Sequence, residues 1–419
     1  MPSTDIMPPR TMSAEKLRRK QELSRARALT DKIFGEIRPD AYLERPIPER
    51  HRIIFYLGHL EAFDWNLVGR HGLGLDPISE ELDQLFAFGI DPPVGELPQD
   101  QPADWPSAER ARQYVEEVRG RLDTALDAAP TEMLDMALEH RLMHAETFTY
   151  MLHNLPYTQK VTRGVKAASR RPSPPLEMME ITGGTVTLGK KRGDGFGWDN
   201  EFEQHRQDVP GFAISKYKIT NGQYLEFVQA GGPTPFYWFC RGNNNNNDWF
   251  YRGMHAEAPL PLDWPVYASN AQAQAYAEWV GKSLPTEAQF QRAAFGTREG
   301  DERSYPWGEE SPDAHFGNFS FCNPGPIPVT ADPAGNSAFG VAQMVGNGWE
   351  WTRTPFRPFP GFEASPAYPG YSANFFDGDH FVLKGASCAT DAGLLRPSFR
   401  NWFRRDYPYA YTTFRVVEN

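Results

Sequence analysis

The apolar positions of this chain change period partway along its length. From Ser13 to Leu155 they recur every three or four residues, the spacing that lines one face of an α-helix. Four segments carry the pattern: residues 13–34, 49–70, 107–129 and 131–155. Ser107 and Thr131 stand where N-caps belong. Helices of this length with one apolar face predict an antiparallel four-helix bundle. The stretch GIDPPVGELPQDQPADWPS, residues 89–107, is too rich in proline for a helix and reads as a long connection between the second and third helices. Residues 1–12 show no apolar period and are expected to be disordered.

Beyond Leu155 the texture differs. Residues 158–178 are basic and then proline-rich, which predicts a linker. From Met179 the pattern alternates as in a strand, MEITGGTVTLGK, and short strand-like pieces follow. Two helices are expected there, in SNAQAQAYAEWVG and PTEAQFQRAAFG. The reading is an α+β multidomain chain: residues 13–157 as the bundle and 179–419 as an α+β domain with much irregular structure. The run Asn243–Asn247 suits a polar surface loop.

Length and charge narrow the function classes. At 419 residues the chain exceeds a single core. A net charge of −11 gives no broad attraction to a phosphate backbone, so no nucleic-acid partner is expected. The basic stretch Lys16–Arg27 contains Glu22 and reads as a solvated helix face. Cys240, Cys322 and Cys388 are odd in number and far apart, which fits a reducing cytoplasm rather than a disulfide framework. No apolar run has the length of a membrane span, and the N-terminus has no signal-like apolar core, so no membrane partner is expected.

The candidate chemistry lies in EHRLMHAETFTYMLHNL, residues 139–155. His140 and His144 are four apart, so ~40° separates them around a helix and both rings can reach one ion. His153 falls on the opposite side. A third nitrogen must come from another helix, and His59, central in FYLGHLEAF, is the best placed; His51 lies two turns earlier. Three imidazoles suit Fe(II), Zn(II) or copper. Arg141 stands where a HExxH metallopeptidase has its general base, which argues against zinc peptidase chemistry.

The segments ITNGQYLEFVQAGG, SLPTEAQFQRAA, YPWG, MVGNGWEWTRTPF, FVLKGASCAT and RPSFRNWF…TTFRVV follow in this order. Together they resemble the formylglycine-generating-enzyme fold, a C-type-lectin-like α+β domain. The N-terminal bundle, with His59 and an HxxxHxE helix, resembles the DinB-like domain. The combination is similar to the ergothioneine-type sulfoxide synthases and their ovothiol and selenoneine relatives, over residues 15–418. That resemblance implies a non-haem Fe(II) held by His59, His140 and His144 between the two domains, with O2 as co-substrate. It implies hercynine as one substrate, Tyr368 or Tyr371 of YPGYSANFF as proton donor with Tyr368 first, and Asn401 and Trp402 of FRNW against the betaine. A cytoplasmic monomer or weak homodimer is expected.

Departures from the family pattern bear on the second substrate. Val416 replaces the second cysteine of the formylglycine enzymes, so sulfatase maturation is not expected. Met143 and Phe403 stand where γ-glutamylcysteine-using members tend to have Gln and Asp, and residues 88–106 contain no arginine for a donor carboxylate. A neutral selenosugar donor, giving selenoneine chemistry, is therefore expected ahead of cysteine or another thiol. A non-catalytic ligand-binding module and a thiol oxygenase indifferent to hercynine are the other readings.

Overall fold

The computed structural model describes residues 14–88, 96–161, 171–242, 248–331 and 333–418. The expected disorder of residues 1–12, the Asn243–Asn247 loop and the centre of the linker lie outside the described residues. The chain divides into two compact units, Met1–Arg141 and Leu142–Asn419.

The first unit contains α1 (Ala14–Phe34), α2 (Ile53–Asp64), α3 (Glu80–Phe88) and α4 (Ala108–Ala125). It also holds the first half of α5 (Thr131–Asn154), whose second half belongs to the other unit. The four expected helices are present. Ser107 caps α4 by accepting from the Arg110 amide, 3.2 Å. Three details differ. The second helix turns π-helical over Trp65–Gly72. Residues 80–88 form a helix that the apolar pattern did not single out, because nine residues span too few turns for the period to register. Thr131 is the first residue of α5 rather than its cap.

Buried charge ties α5 to α2 inside this unit. Arg141 is fully buried, and its guanidinium donates to Asp64 at 2.7 Å and pairs with Glu61 at 3.0 Å. Glu61 also accepts from Arg119 at 2.8 Å. Arg141 therefore points away from its histidine neighbours, into an acidic pair that lies two and five residues beyond His59 on α2.

The second unit carries β1 (Met178–Ile181), β2 (Gly184–Leu188), β3 (His205–Val209), β4 (Phe212–Ser215), α6 (Asn221–Gln229), β5 (Trp238–Arg241), β6 (Asp248–Arg252) and β7 (Glu257–Pro259). It continues with α7 (Asn270–Trp279), α8 (Glu287–Phe295), β8 (Gly348–Pro355), β9 (His380–Ala386), β10 (Asn401–Arg404), β11 (Thr412–Thr413) and β12 (Val417–Glu418). The strands form four small sheets, of order β1-β4-β12, β10-β9-β8-β11, β2-β3 and β5-β6-β7. The two helices expected here are α7 and α8, each opened by a reciprocal capping box, Ser269 with Gln272 and Thr286 with Gln289. Phe290, Phe339, Met344, Ile214 and Val417 belong to its apolar core.

The GNGWEWT motif is chiefly structural. Alternation along β8 sends Glu350 to the core side, where it accepts from Lys218 at 2.6 Å and Arg415 at 2.8 Å. Trp351 donates to the Ala268 carbonyl at 2.9 Å. Asn347 holds both chain directions of Ile327, accepting from its amide and donating to its carbonyl at 2.9 Å each.

Replacing Arg141 by Met strands Asp64 in the interior and leaves Glu61 to Arg119 alone. The expected loss is ~3–5 kcal/mol of unfolding free energy, read by urea denaturation of the two proteins.

Candidate metal centre

His59 is buried on α2. Its Nδ1 lies 2.7 Å from the Phe86 carbonyl, so that nitrogen carries the proton and Nε2 is left with its lone pair. Burial pushes its pKa down to about 4, which keeps the ring neutral. The adjacent Gly58 makes the contact with α3 possible: a Cβ there would meet the Phe86 ring at 2.4 Å. Phe86 thus packs flat on a bare backbone and brings its carbonyl to the histidine. Sequence reasoning did not single out Phe86, because a backbone carbonyl has no residue-type signature.

His140 and His144 project from α5, as the four-residue spacing predicts. The His140 ring is 5.2 Å from that of His59 and stacks on Phe63 at 3.5 Å. His144 is half-buried and neighbours Phe148 at 5.7 Å. Ligand nitrogens of His59, His140 and His144 all lie within 4.8 Å of one another. Three buried or half-buried imidazoles converging this closely form a donor set for one divalent transition ion, with further coordination positions open to substrate or water. The His59–Phe86 bond adds the usual feature of a metal-binding histidine, a second ring nitrogen fixed by a carbonyl. The residues fit a metal.

His153 and His51 stay outside this group. His153 donates to the Arg252 carbonyl at 2.7 Å, accepts from the Tyr411 hydroxyl at 3.1 Å and stacks on Tyr237. Burial holds its pKa down at about 3. His51 packs on Phe55 at 4.2 Å and edge-on to Trp105.

In the second unit the Tyr371 hydroxyl donates to the Met143 thioether at 3.4 Å. Its ring stacks on Trp198 at 3.9 Å and meets Trp402 edge-on at 5.3 Å. Tyr368 lies 5.7 Å from Tyr371, and burial raises its pKa, so its phenol holds its proton. Met143, Tyr371 and Trp402 are therefore contiguous.

Trp402 and Phe403 follow one another on β10 and so face opposite sides of its sheet. Trp402 stacks on Phe356 at 4.3 Å. Phe403 stacks on Tyr407 at 5.0 Å and meets Tyr150, seven residues beyond Met143 on α5. Asn401 accepts from the Trp402 amide through its own side chain, 2.8 Å.

Cys388 is buried against the Tyr267 hydroxyl, and burial pushes its thiol up to about 12. Val416 is buried core. With valine at 416, that position offers Cys388 no second thiol.

Comparison with known proteins accords with this arrangement. Residues 22–153 match the DinB superfamily and residues 164–419 the sulfatase-modifying factor enzyme 1-like domain. A hercynine oxygenase of Mycobacterium tuberculosis is 36% identical over 83% of this chain and 84% of its own length. One from Mycolicibacterium thermoresistibile is 34% identical over 90% and 89%. Ergothioneine biosynthesis protein 1 of Neurospora crassa is 28% identical over 94% of this chain and 56% of its own. With both domain models matched in order and relatives this similar along most of the sequence, the chain belongs to the ergothioneine-type sulfoxide synthase family and is an oxidative enzyme.

Proposed function

We propose that this chain is a non-haem Fe(II), O2-dependent enzyme that joins the chalcogen of a neutral sugar donor, selenium first, to the imidazole C2 of hercynine. The observation that carries the reading is the convergence of His59, His140 and His144, in a chain whose relatives include hercynine oxygenases. Iron, when bound, supplies the site at which dioxygen and the donor chalcogen meet. The protein's own part is to hold three neutral imidazoles, present a weak acid and position the betaine.

Tyr371 is the stronger candidate for that acid. Its hydroxyl reaches the residue next to His144 on α5, through Met143. A phenol with a reference pKa near 10 stays protonated at neutral pH and can still deliver a proton to a strong base. Trp402, in contact with Tyr371 and Phe356, offers an aromatic face for a trimethylammonium group.

The choice of a neutral donor is supported by charge bookkeeping around residues 96–105. The fold brings Arg45 and Arg52 to this loop from elsewhere in the chain, and both turn onto the one carboxylate of Asp100. Arg52 donates to Asp100 at 2.9 Å, Arg45 pairs with the same carboxylate, and the Trp105 indole donates to it at 2.7 Å. A doubly acidic thiol would have to compete with Asp100 for them. Phe403 and Met143 add no cation. The second reading, a sulfur donor such as cysteine, is favoured by the names of the relatives.

Two measurements test the reading. Anaerobic Fe(II) loading followed by aerobic turnover of hercynine with selenosugar, thiosugar, cysteine and γ-glutamylcysteine, read by mass spectrometry, is expected to favour the selenosugar by at least ~10-fold in kcat/KM. A preference for γ-glutamylcysteine would refute the neutral-donor reading. Gly58→Ala, which pushes Phe86 off α2 and frees His59 Nδ1, is expected to weaken Fe(II) binding ~10–100-fold by titration. His140→Ala is expected to abolish it.

A further inference from the structure

Glu146 lies two residues beyond His144, where an HxxxHxE pattern invites reading it as a third ligand from the same helix. The structure places it otherwise. At ~100° per residue, Glu146 is turned ~160° from His144 and ~120° from His140, on the far side of α5. Its buried carboxylate is fully engaged there. Oε1 accepts from the Trp349 indole at 2.9 Å and from the Ser387 hydroxyl at 2.7 Å. Oε2 accepts from the Thr390 hydroxyl at 2.7 Å. Trp349 is the second residue of strand β8, and Ser387 and Thr390 form the turn after β9. All three donors are neutral.

We infer that Glu146 is a positioning residue: it clamps α5 to the start of β8 and the turn after β9, and so fixes the rotation at which Met143 and His144 stand relative to Tyr371. Met143 sits ~60° from His140 and ~60° from Glu146, on the seam between the metal-facing and the clamped side. A small roll of the helix would carry its thioether off the Tyr371 hydroxyl, which it meets at 3.4 Å, and swing the His144 ring with it. Three side chains on one carboxylate resist such a roll better than apolar packing, because directed hydrogen bonds have one register and slipping leaves buried donors unmet. The inference rests on the function proposed above for its chemistry, and on Glu146's own contacts for its geometry.

Charge is not what the clamp requires. In Glu146→Gln the amide oxygen can accept from Trp349 and Ser387, while the amide nitrogen donates to Thr390, whose hydroxyl turns from donor to acceptor and can point at Ser387, 3.3 Å away. Glu146→Ala cannot replace any of the three bonds. The experiment compares both variants with the wild type. It reads hercynine turnover with the four donors above, and the visible absorption and affinity of Co(II) bound in place of iron. Glu146→Gln is expected to keep kcat within about threefold, with an unchanged Co(II) spectrum. Glu146→Ala is expected to lower kcat at least tenfold, with the KM for hercynine moved less than threefold and the Co(II) bands shifted. Should the Ala variant fail to fold, Ser387→Ala combined with Thr390→Val removes two of the donors from the other side and is expected to give the same split. Wild-type kcat and spectrum in the Ala variant would overturn the inference. Equal damage by Gln and Ala would overturn it too, since it would show that the negative charge acts on the reaction or the metal directly. A wild type that turns over none of the donors would refute the function proposed above, while the Co(II) spectra would still decide for or against the clamp.

Discussion

Helix α5 is asked to satisfy different chemistry on each of its sides, and the rotation of ~100° per residue is the constraint that makes this work. One side offers His140 and His144 to the position of His59. Another buries Arg141 in an acidic pair on α2. A third sets Glu146 and His153, which belong to the second unit, into hydrogen bonds within that unit. Insert or delete one residue anywhere in the middle, and every partner downstream faces the wrong way. The helix thus acts as the common ruler for the metal-facing histidines, for Met143 and for the contacts that hold it.

Arg141 and Glu146 are buried on this helix, and that carries a cost. Taking a guanidinium or carboxylate from water costs several kcal/mol, and paired geometry offsets rather than exceeds it. Apolar residues of similar volume would stabilise the same helix as well or better. What buried charge contributes is register. Arg141 has one arrangement that meets Asp64 and Glu61, and Glu146 one that meets Trp349, Ser387 and Thr390. Apolar contacts tolerate a sliding helix; these do not. A centre built from side chains on separate elements benefits from that intolerance, because small misplacements at a reacting centre are costly.

Much of the architecture could be read from hydropathy, for reasons that are local. The long helices show their period over several turns, and the capping boxes at Ser269 and Thr286 announce helix starts within four residues. Residues 80–88 were missed because a nine-residue helix beside a proline-rich stretch has too few turns to declare itself. The pairing of His140 with His144 follows from helix periodicity alone. The importance of Phe86 does not, since its contribution is a carbonyl oxygen and the absence of a side chain at Gly58.

The sequence by itself determined the long helices, the two-histidine edge on one of them and the absence of arginine from the loop before Trp105, because each depends only on residue type and near spacing. Tertiary structure alone decided the rest. It brought Tyr371 to Met143 and set both Arg45 and Arg52 on the one carboxylate of Asp100. It also set Glu146 against three hydroxyl and indole donors. Each of these depends on which distant backbone lies opposite a given side chain. Periodicity gives the direction a side chain takes from its own helix or strand, but what stands there to receive it is set by how the chain packs.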